Sequence, residues 1–160
     1  MNREIKLTYS ACRDMALVLL NQIQAGNAAV GAAGHADHRF EAVLCPLRGG
    51  FFLSNFLSRR LRLPVEFIHL SSYDGVRSSD FTVHFKPTLE AGKKYLICDD
   101  ILATGRTIEM ILALYPECRF EVAVLYRHKE RAAGFPCHFA RQIDSRVWVQ
   151  FPWEAEDIEF

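Results

Sequence analysis

Two adjacent carboxylates, Asp99 and Asp100, directly follow the apolar run Tyr95-Leu-Ile-Cys98, and a Thr104-Gly-Arg-Thr107 turn comes shortly after them. Carboxylates at a strand end accept hydrogen bonds from a sugar diol and hold a hard, oxygen-preferring cation, while backbone N–H groups at the start of a helix cradle a phosphate. An acidic pair followed by an anion site is suited to a phosphorylated sugar. Solvated aspartates and an ordinary capping threonine are the plain alternative, and an isolated Asp-Asp pair would favour it. Here the pair lies between a buried strand and a helix start, where open α/β sheets bind their ligands. The sequence contains no GxxxxGK[ST] loop of the nucleoside-triphosphatase kind.

The elements that must position this loop follow from apolar spacing. Thr8 caps a helix whose Cys12, Met15, Ala16, Leu19, Leu20 and Ile23 recur at helical intervals up to a break at Gly26-Asn27. Phe40 to Leu44 reads as a buried strand, Pro46 to Gly50 as a loop, Gly50 to Leu61 as a helix and Val65 to Leu70 as a second strand. The polar stretch Ser71 to Lys94, with a strand at Phe81 to Phe85, has the length of a functional lid. Tyr95 to Cys98 is a strand, Thr104 to Leu114 a helix, and Phe120 to Leu125 and Val147 to Phe151 are strands. Strands alternating with helices predict a doubly wound, mostly parallel α/β sheet, with residues 1–160 as a single domain.

Composition narrows the function class. Half of the 160 residues are apolar, and 19 basic side chains balance 19 acidic ones. Such a chain is globular and lacks the charge excess of a nucleic-acid or anionic-membrane binder. No apolar run approaches the roughly 20 residues that span a bilayer, and the N-terminus leads into no secretory core, so a cytoplasmic protein is expected. Five cysteines without a C-x-x-C pair fit reduced core thiols better than a disulfide frame or zinc site. His35-x-x-His38 lacks a third ligand and is read as a solvated loop; His69, His84, His128 and His138 form no nucleophile–base constellation in sequence, and Lys86, Lys93 and Lys94 are read as solvated.

The thirteen residues Tyr95 to Thr107 resemble the phosphoribosyl-pyrophosphate signature of the type I phosphoribosyltransferases. Leu47-Arg-Gly-Gly50 resembles that family's pyrophosphate loop, Ser71-Ser-Tyr-Asp74 the start of its lid in the 6-oxopurine members, and Trp148-Val-Gln-Phe-Pro-Trp153 the base-binding strand of the bacterial xanthine-guanine enzymes. The resemblance implies the type I fold, with a flexible lid that includes Ser72 and Tyr73 and a small C-terminal base-binding segment. It also implies transfer of ribose 5-phosphate from phosphoribosyl pyrophosphate to a purine, with Mg2+, in a homodimer or homotetramer. Arg48, Gly49 and Gly50 would hold pyrophosphate through a cis Leu47–Arg48 peptide. A helix start packed on the core is the plain reading of that loop, but an arginine before two glycines favours an anion. Asp99 and Asp100 would take the ribose hydroxyls, Asp100 also the metal, and Ala103, Thr104, Gly105, Arg106 and Thr107 the 5′-phosphate. Trp148 would stack on the purine, the Val149 backbone would meet its exocyclic group, and Arg127 or Lys129 would read O6. Composition alone makes Trp148 and Trp153 equally good as core residues.

One position departs from the resemblance. The 6-oxopurine enzymes usually carry an aspartate before Thr-Gly-x-Thr, assigned as general base, and here that position is Ala103, as in the adenine enzymes. Either the base is different, with adenine the rival, or a lid residue such as Asp74 or Asp80 handles the proton, or turnover is slow or absent. General acid–base help is typically worth ~10²–10⁴-fold, so its loss need not abolish activity. A non-catalytic sensor of phosphoribosyl pyrophosphate or a nucleotide is the reading from outside enzymology.

Overall fold

A computed structural model of the chain describes residues 3–32, 39–72, 81–130 and 136–154, without side chains at 28–32 and 72. Strand β1 (Arg3–Lys6) leads through Thr8 into helix α1 (Tyr9–Ala32). Thr8 Oγ1 accepts the Ala11 N–H at 3.2 Å, the expected cap. The helix runs past Gly26-Asn27 because the alanines beyond are strong helix formers that outweigh one internal glycine. Then follow β2 (Ala42–Leu47), α2 (Phe51–Leu61), β3 (Val65–Ser72), β4 (Phe81–Phe85), β5 (Lys94–Leu102), α3 (Arg106–Leu114), β6 (Arg119–His128), β7 (His138–Ile143) and β8 (Val147–Gln150).

Six strands form one sheet in the order β4-β3-β2-β5-β6-β7, parallel except for the edge strand β4. Helices α1 and α2 bury Leu19, Ile23, Leu53 and Leu57 against one face, and α3 buries Ile108 and Ile111 against the other. The mostly parallel, doubly wound α/β sheet expected from the alternating pattern is therefore present. Cys12, Cys45 and Cys98 are buried, and all five thiols are free. No helix among the described residues is long and apolar enough to cross a membrane.

Strands β1 and β7 were not legible in the sequence. The first is a four-residue, mostly exposed segment that exists by pairing in parallel with β8, Glu4 opposite Trp148 and Ile5 opposite Val149. The second, His-Phe-Ala-Arg-Gln-Ile, carries too few apolar residues for a period-2 pattern. Residues 33–38, 73–80 and 131–135 lie outside the described residues, and with them His35, His38, Tyr73, Asp74 and Asp80.

The strand bases are tied by charge. Glu121 on β6 accepts from Lys94 on β5 and lies 2.9 Å from His138 Nε2 on β7. These partners, His138 first, pull the Glu121 carboxyl down to about 2. A carboxylate depressed in the fold contributes stability that is present above its unfolded pKa near 4.5 and is lost as pH falls towards 2. Glu121→Gln is expected to flatten that part of the stability–pH curve by on the order of 1 kcal/mol, screening at a half-exposed site included. Urea unfolding at pH 5 and pH 3 checks this; parallel losses in both proteins would refute it.

Candidate functional site

The strand order reverses between β2 and β5. From β2 the chain crosses through α2 to β3 on one side, and from β5 through α3 to β6 on the other. Such a switch point opens a crevice at the carboxyl ends of the strands, and both loops singled out from the sequence lie there. β2 pairs with β5 only from Ala42 to Leu44, while its pairing with β3 continues to Leu47. The missing N–H of Pro46 therefore falls where β2 has already parted from β5. Into that gap comes the start of α2: Ser54 Oγ donates to the Cys98 carbonyl at 3.4 Å, and the Gly50 N–H to the Pro46 carbonyl at 3.0 Å.

Both glycines of Arg48-Gly-Gly50 lie at close approaches, Gly50 against main chain and Gly49 against a side chain. A Cβ on Gly50 would meet the Cys98 carbonyl oxygen at 2.3 Å and the Pro46 carbonyl oxygen at 2.8 Å. A Cβ on Gly49 would meet Asp100 Oδ2 at 2.6 Å. The Leu47–Arg48 peptide is cis, as the resemblance implied. The loop thus lies directly against the acidic strand, with the Arg48 side chain exposed.

β5 extends to Leu102, paired with Arg127 of β6, so the two aspartates belong to the strand rather than to a loop after it. They diverge. Asp99 lines a small cavity of about 80 Å³ with Ala103, Thr104, Gly105, Arg106 and Thr107. Asp100 is buried on the opposite side, beside Gly49, Trp153 and Glu154. Burial, then the Glu154 charge, raises the Asp100 carboxyl to about 6, although Trp153 and backbone N–H groups pull it down. Burial and Asp100 hold Asp99 well above the usual carboxylate range. The Trp153 indole faces Asp100, yet its buried Nε1–H has no partner that completes hydrogen-bond geometry.

The helix after the turn starts at Arg106, not Thr104. Gly105, at φ 84°, is its N-cap in a conformation that side chains with a Cβ rarely adopt, which is the reason for glycine in Thr-Gly-Arg-Thr. Thr104 Oγ1 accepts weakly from the Arg106 N–H at 3.4 Å. The Arg106 guanidinium lies 5.6 Å over the Phe81 ring.

The remaining expected site residues are dispersed. Trp148 is 65% exposed on β8, so it is not a core residue, and Val149 behind it is buried. Arg127 lies 4.0 Å over the Phe139 ring and donates to Gln142 Oε1, which commits it to β7. Lys129 is exposed, its backbone N–H bonded to the Ile143 carbonyl. Ser72 ends β3, where the resemblance begins the lid. Sequence reading missed that Trp153 and Glu154 approach Asp100 and that Tyr9, Phe52 and Asn55 join them around a cleft of about 890 Å³. The Pro152-Trp153 pair after β8 was the available signal, since proline ends a strand and fixes where the next side chain lands.

An open sheet with a glycine-bearing turn on each side of an acidic strand end, at the switch point, is an arrangement suited to a phosphorylated ligand. The phosphoribosyl transferase domain family matches residues 8–157, and the chain belongs to that family. It is 28% identical over 120 residues to the xanthine-guanine phosphoribosyltransferase of Desulfotalea psychrophila, 73% of this chain and 72% of that one. The enzyme of the same name from Nitratidesulfovibrio vulgaris is equally similar, over 71% of its length. Among solved structures, a purine phosphoribosyltransferase from Pyrococcus horikoshii superposes with a TM-score of 0.78 at 18% identity, covering 100% of this chain and 99% of that one. The Helicobacter pylori xanthine-guanine-hypoxanthine phosphoribosyltransferase gives 0.74 at 24% identity, covering 96% of each. The curated relatives and these structural neighbours are enzymes.

Proposed function

We propose that the protein transfers the 5-phosphoribosyl group from phosphoribosyl pyrophosphate to a ring nitrogen of a 6-oxopurine, releasing pyrophosphate. The observation that carries this reading is the contact of Gly49 with Asp100. It sets a loop suited to pyrophosphate against the carboxylate suited to the ribose, so both ends of the bond to be broken fall in one crevice. As the C1′–O bond to pyrophosphate breaks, C1′ gains positive charge and the leaving group gains negative charge. Arg48 and the amide of Gly49 take the leaving anion; the expected part of the Gly50 amide falls away, because its N–H is spent on the Pro46 carbonyl. Asp100, beside the pyrophosphate loop, accepts from the ribose hydroxyls, while Asp99, on the other side of the strand, faces the 103–107 turn that fixes the 5′-phosphate so that C1′ faces the base. The base nitrogen then forms the new bond to C1′ and gives up its N–H proton to solvent or to the departing pyrophosphate, since Ala103 offers no base.

The donor set fits Mg2+. That ion is usually held by one or two carboxylates, with phosphate and water completing its shell. Among the described residues no group of three or more His, Cys, Asp or Glu side chains forms a cage, and Asp100 offers a buried hard-oxygen ligand whose raised pKa a cation would offset. Bound there, Mg2+ would neutralise diphosphate charge.

The oxopurine preference is supported by Trp148, whose exposed ring is free to stack on a base, and by the relatives' substrates. Of the two cations considered for O6, Lys129 makes no side-chain hydrogen bond among the described residues, whereas Arg127 is held by Gln142 and Phe139. Ala103 supports adenine as the second reading. Phosphoribosyl pyrophosphate and a purine are the expected partners, in a cytoplasmic enzyme; the exposed Phe51, Phe67 and Phe85 rings are consistent with a homodimer or homotetramer. Trp148→Ala tests the base site. Its stability change is expected within about 0.5 kcal/mol, as for an exposed residue, while GMP binding weakens by ~1–3 kcal/mol and phosphoribosyl pyrophosphate binding does not change. Unaltered GMP affinity would remove Trp148 from the site.

A further inference from the structure

A side chain from the far edge of the sheet reaches the 103–107 turn. Arg106 is the first residue of α3, and its guanidinium lies 5.6 Å over the ring of Phe81, the first residue of β4. Phe81 pairs with Ser72 at the end of the β3–β4 ladder, two residues from Val83, whose partner Leu70 packs on the core under α3. Alternation along β4 therefore puts the Phe81 ring on the α3 side of the sheet. The ring is half-buried and Arg106 is exposed. Among the described residues the guanidinium makes no hydrogen bond or ion pair, so the ring face is what holds it.

A cation is out of place at this point of a helix. The positive end of the helix dipole disfavours a positive side chain in the first turn. The acidic residue of that turn, Glu109, does not offset it, since it forms no ion pair with Arg106 among the described residues. An arginine here is accounted for by an anion that comes to the turn, and Arg106 lines the small cavity with Asp99 and Thr104.

We propose that Phe81 is a positioning residue for the 5′-phosphate: it holds the Arg106 guanidinium beside the turn, ready to pair with the phosphate oxygens. An exposed arginine must give up its rotamer freedom when it binds a phosphate, and a side chain already held against a ring gives up less. Attraction to a ring face uses the charge and not the N–H groups, so the donors stay available for the phosphate. The loop at Arg48 takes no part in this contact, so the effect of Phe81 is confined to the ribose 5-phosphate end of the ligand. The proposal rests on the reading that the turn takes the 5′-phosphate.

The test is calorimetric titration of the full chain and its variants with phosphoribosyl pyrophosphate and, separately, with pyrophosphate, both with MgCl2. Phe81→Leu keeps an apolar side chain but removes the ring. It should weaken phosphoribosyl pyrophosphate binding by about 3- to 10-fold and leave pyrophosphate affinity within about twofold. Phe81→Tyr, which keeps the ring, should retain the natural affinity for both ligands. Added to Arg106→Ala, Phe81→Leu should cause no further loss, because the ring acts through the guanidinium. Natural phosphoribosyl pyrophosphate affinity in Phe81→Leu, equal losses for the two ligands, or a further loss on top of Arg106→Ala would each overturn the positioning role and leave the transfer reading intact. If the natural protein bound phosphoribosyl pyrophosphate no more tightly than pyrophosphate, the phosphate-turn reading itself would fail, and the role of Phe81 with it.

Discussion

Asp100→Asn is expected to make the ligand-free protein more stable at pH 7.5 while abolishing its Mg2+-dependent binding of phosphoribosyl pyrophosphate. Asp100 is 7% exposed, and burial and Glu154 raise its carboxyl from 3.8 to about 6. For a carboxyl raised in the fold, the stability contribution is fully present below its unfolded pKa and is lost as pH rises through the folded one. Above pH 6 the native state therefore carries an unfavourable charge that the unfolded chain carries freely. The shift of about two units corresponds to ~3 kcal/mol at most. Asparagine removes that penalty, along with the charge that a cation and the sugar diol require. Urea unfolding at pH 4.5 and 7.5, beside calorimetric titrations, checks both halves: the natural protein should lose stability between these values and the variant should lose less. A variant less stable at pH 7.5 would show that Asp100 is a structural group rather than a strained binding one.

Of the changes at Gly26, Gly49, Gly50 and Gly92, Gly50→Ala should be the most damaging. Its Cβ would fall 2.3 Å from the Cys98 carbonyl oxygen and 2.8 Å from that of Pro46, both backbone atoms that rotamer changes cannot move. Relief requires α2 to withdraw from the gap between β2 and β5, breaking the Ser54–Cys98 hydrogen bond. Overpacking of this kind costs typically ~1–3 kcal/mol, and the upper end or beyond is expected here because the obstacle is main chain on both sides. Gly49→Ala is the informative contrast. Its nearest obstacle is the Asp100 side chain, which can rotate away, so folding should survive while phosphoribosyl pyrophosphate binding falls. Thermal unfolding of both variants separates the cases; equal stability would refute the close-approach account of Gly50.

The legible part of the molecule was the part with local signatures. Apolar runs marked β3, β5 and β6, helical spacing marked α1, α2 and α3, and the alternation between them carried the sheet class. The turn glycines marked both candidate anion loops because a positive φ at Gly105 and a close approach at Gly50 favour glycine there. What escaped depends on long-range pairing. β1 is a strand only because β8 lies beside it, nearly the whole chain away. Trp153 reads as an ordinary core aromatic until the chain turns it towards Asp100. The separation of Asp99 and Asp100 onto opposite sides of the strand follows from its continuation to Leu102, which only pairing with β6 reveals.

The most direct measurement of the central claim is pyrophosphate release from phosphoribosyl pyrophosphate and Mg2+ in the presence of adenine, hypoxanthine, guanine, xanthine or orotate, one at a time. The account predicts release that requires a purine and is fastest with one of the three 6-oxopurines. Release with adenine alone would transfer the assignment to the reading that Ala103 supports. No release with any base, from protein that still binds phosphoribosyl pyrophosphate, would contradict catalysis itself and leave a ligand sensor built on an enzyme fold.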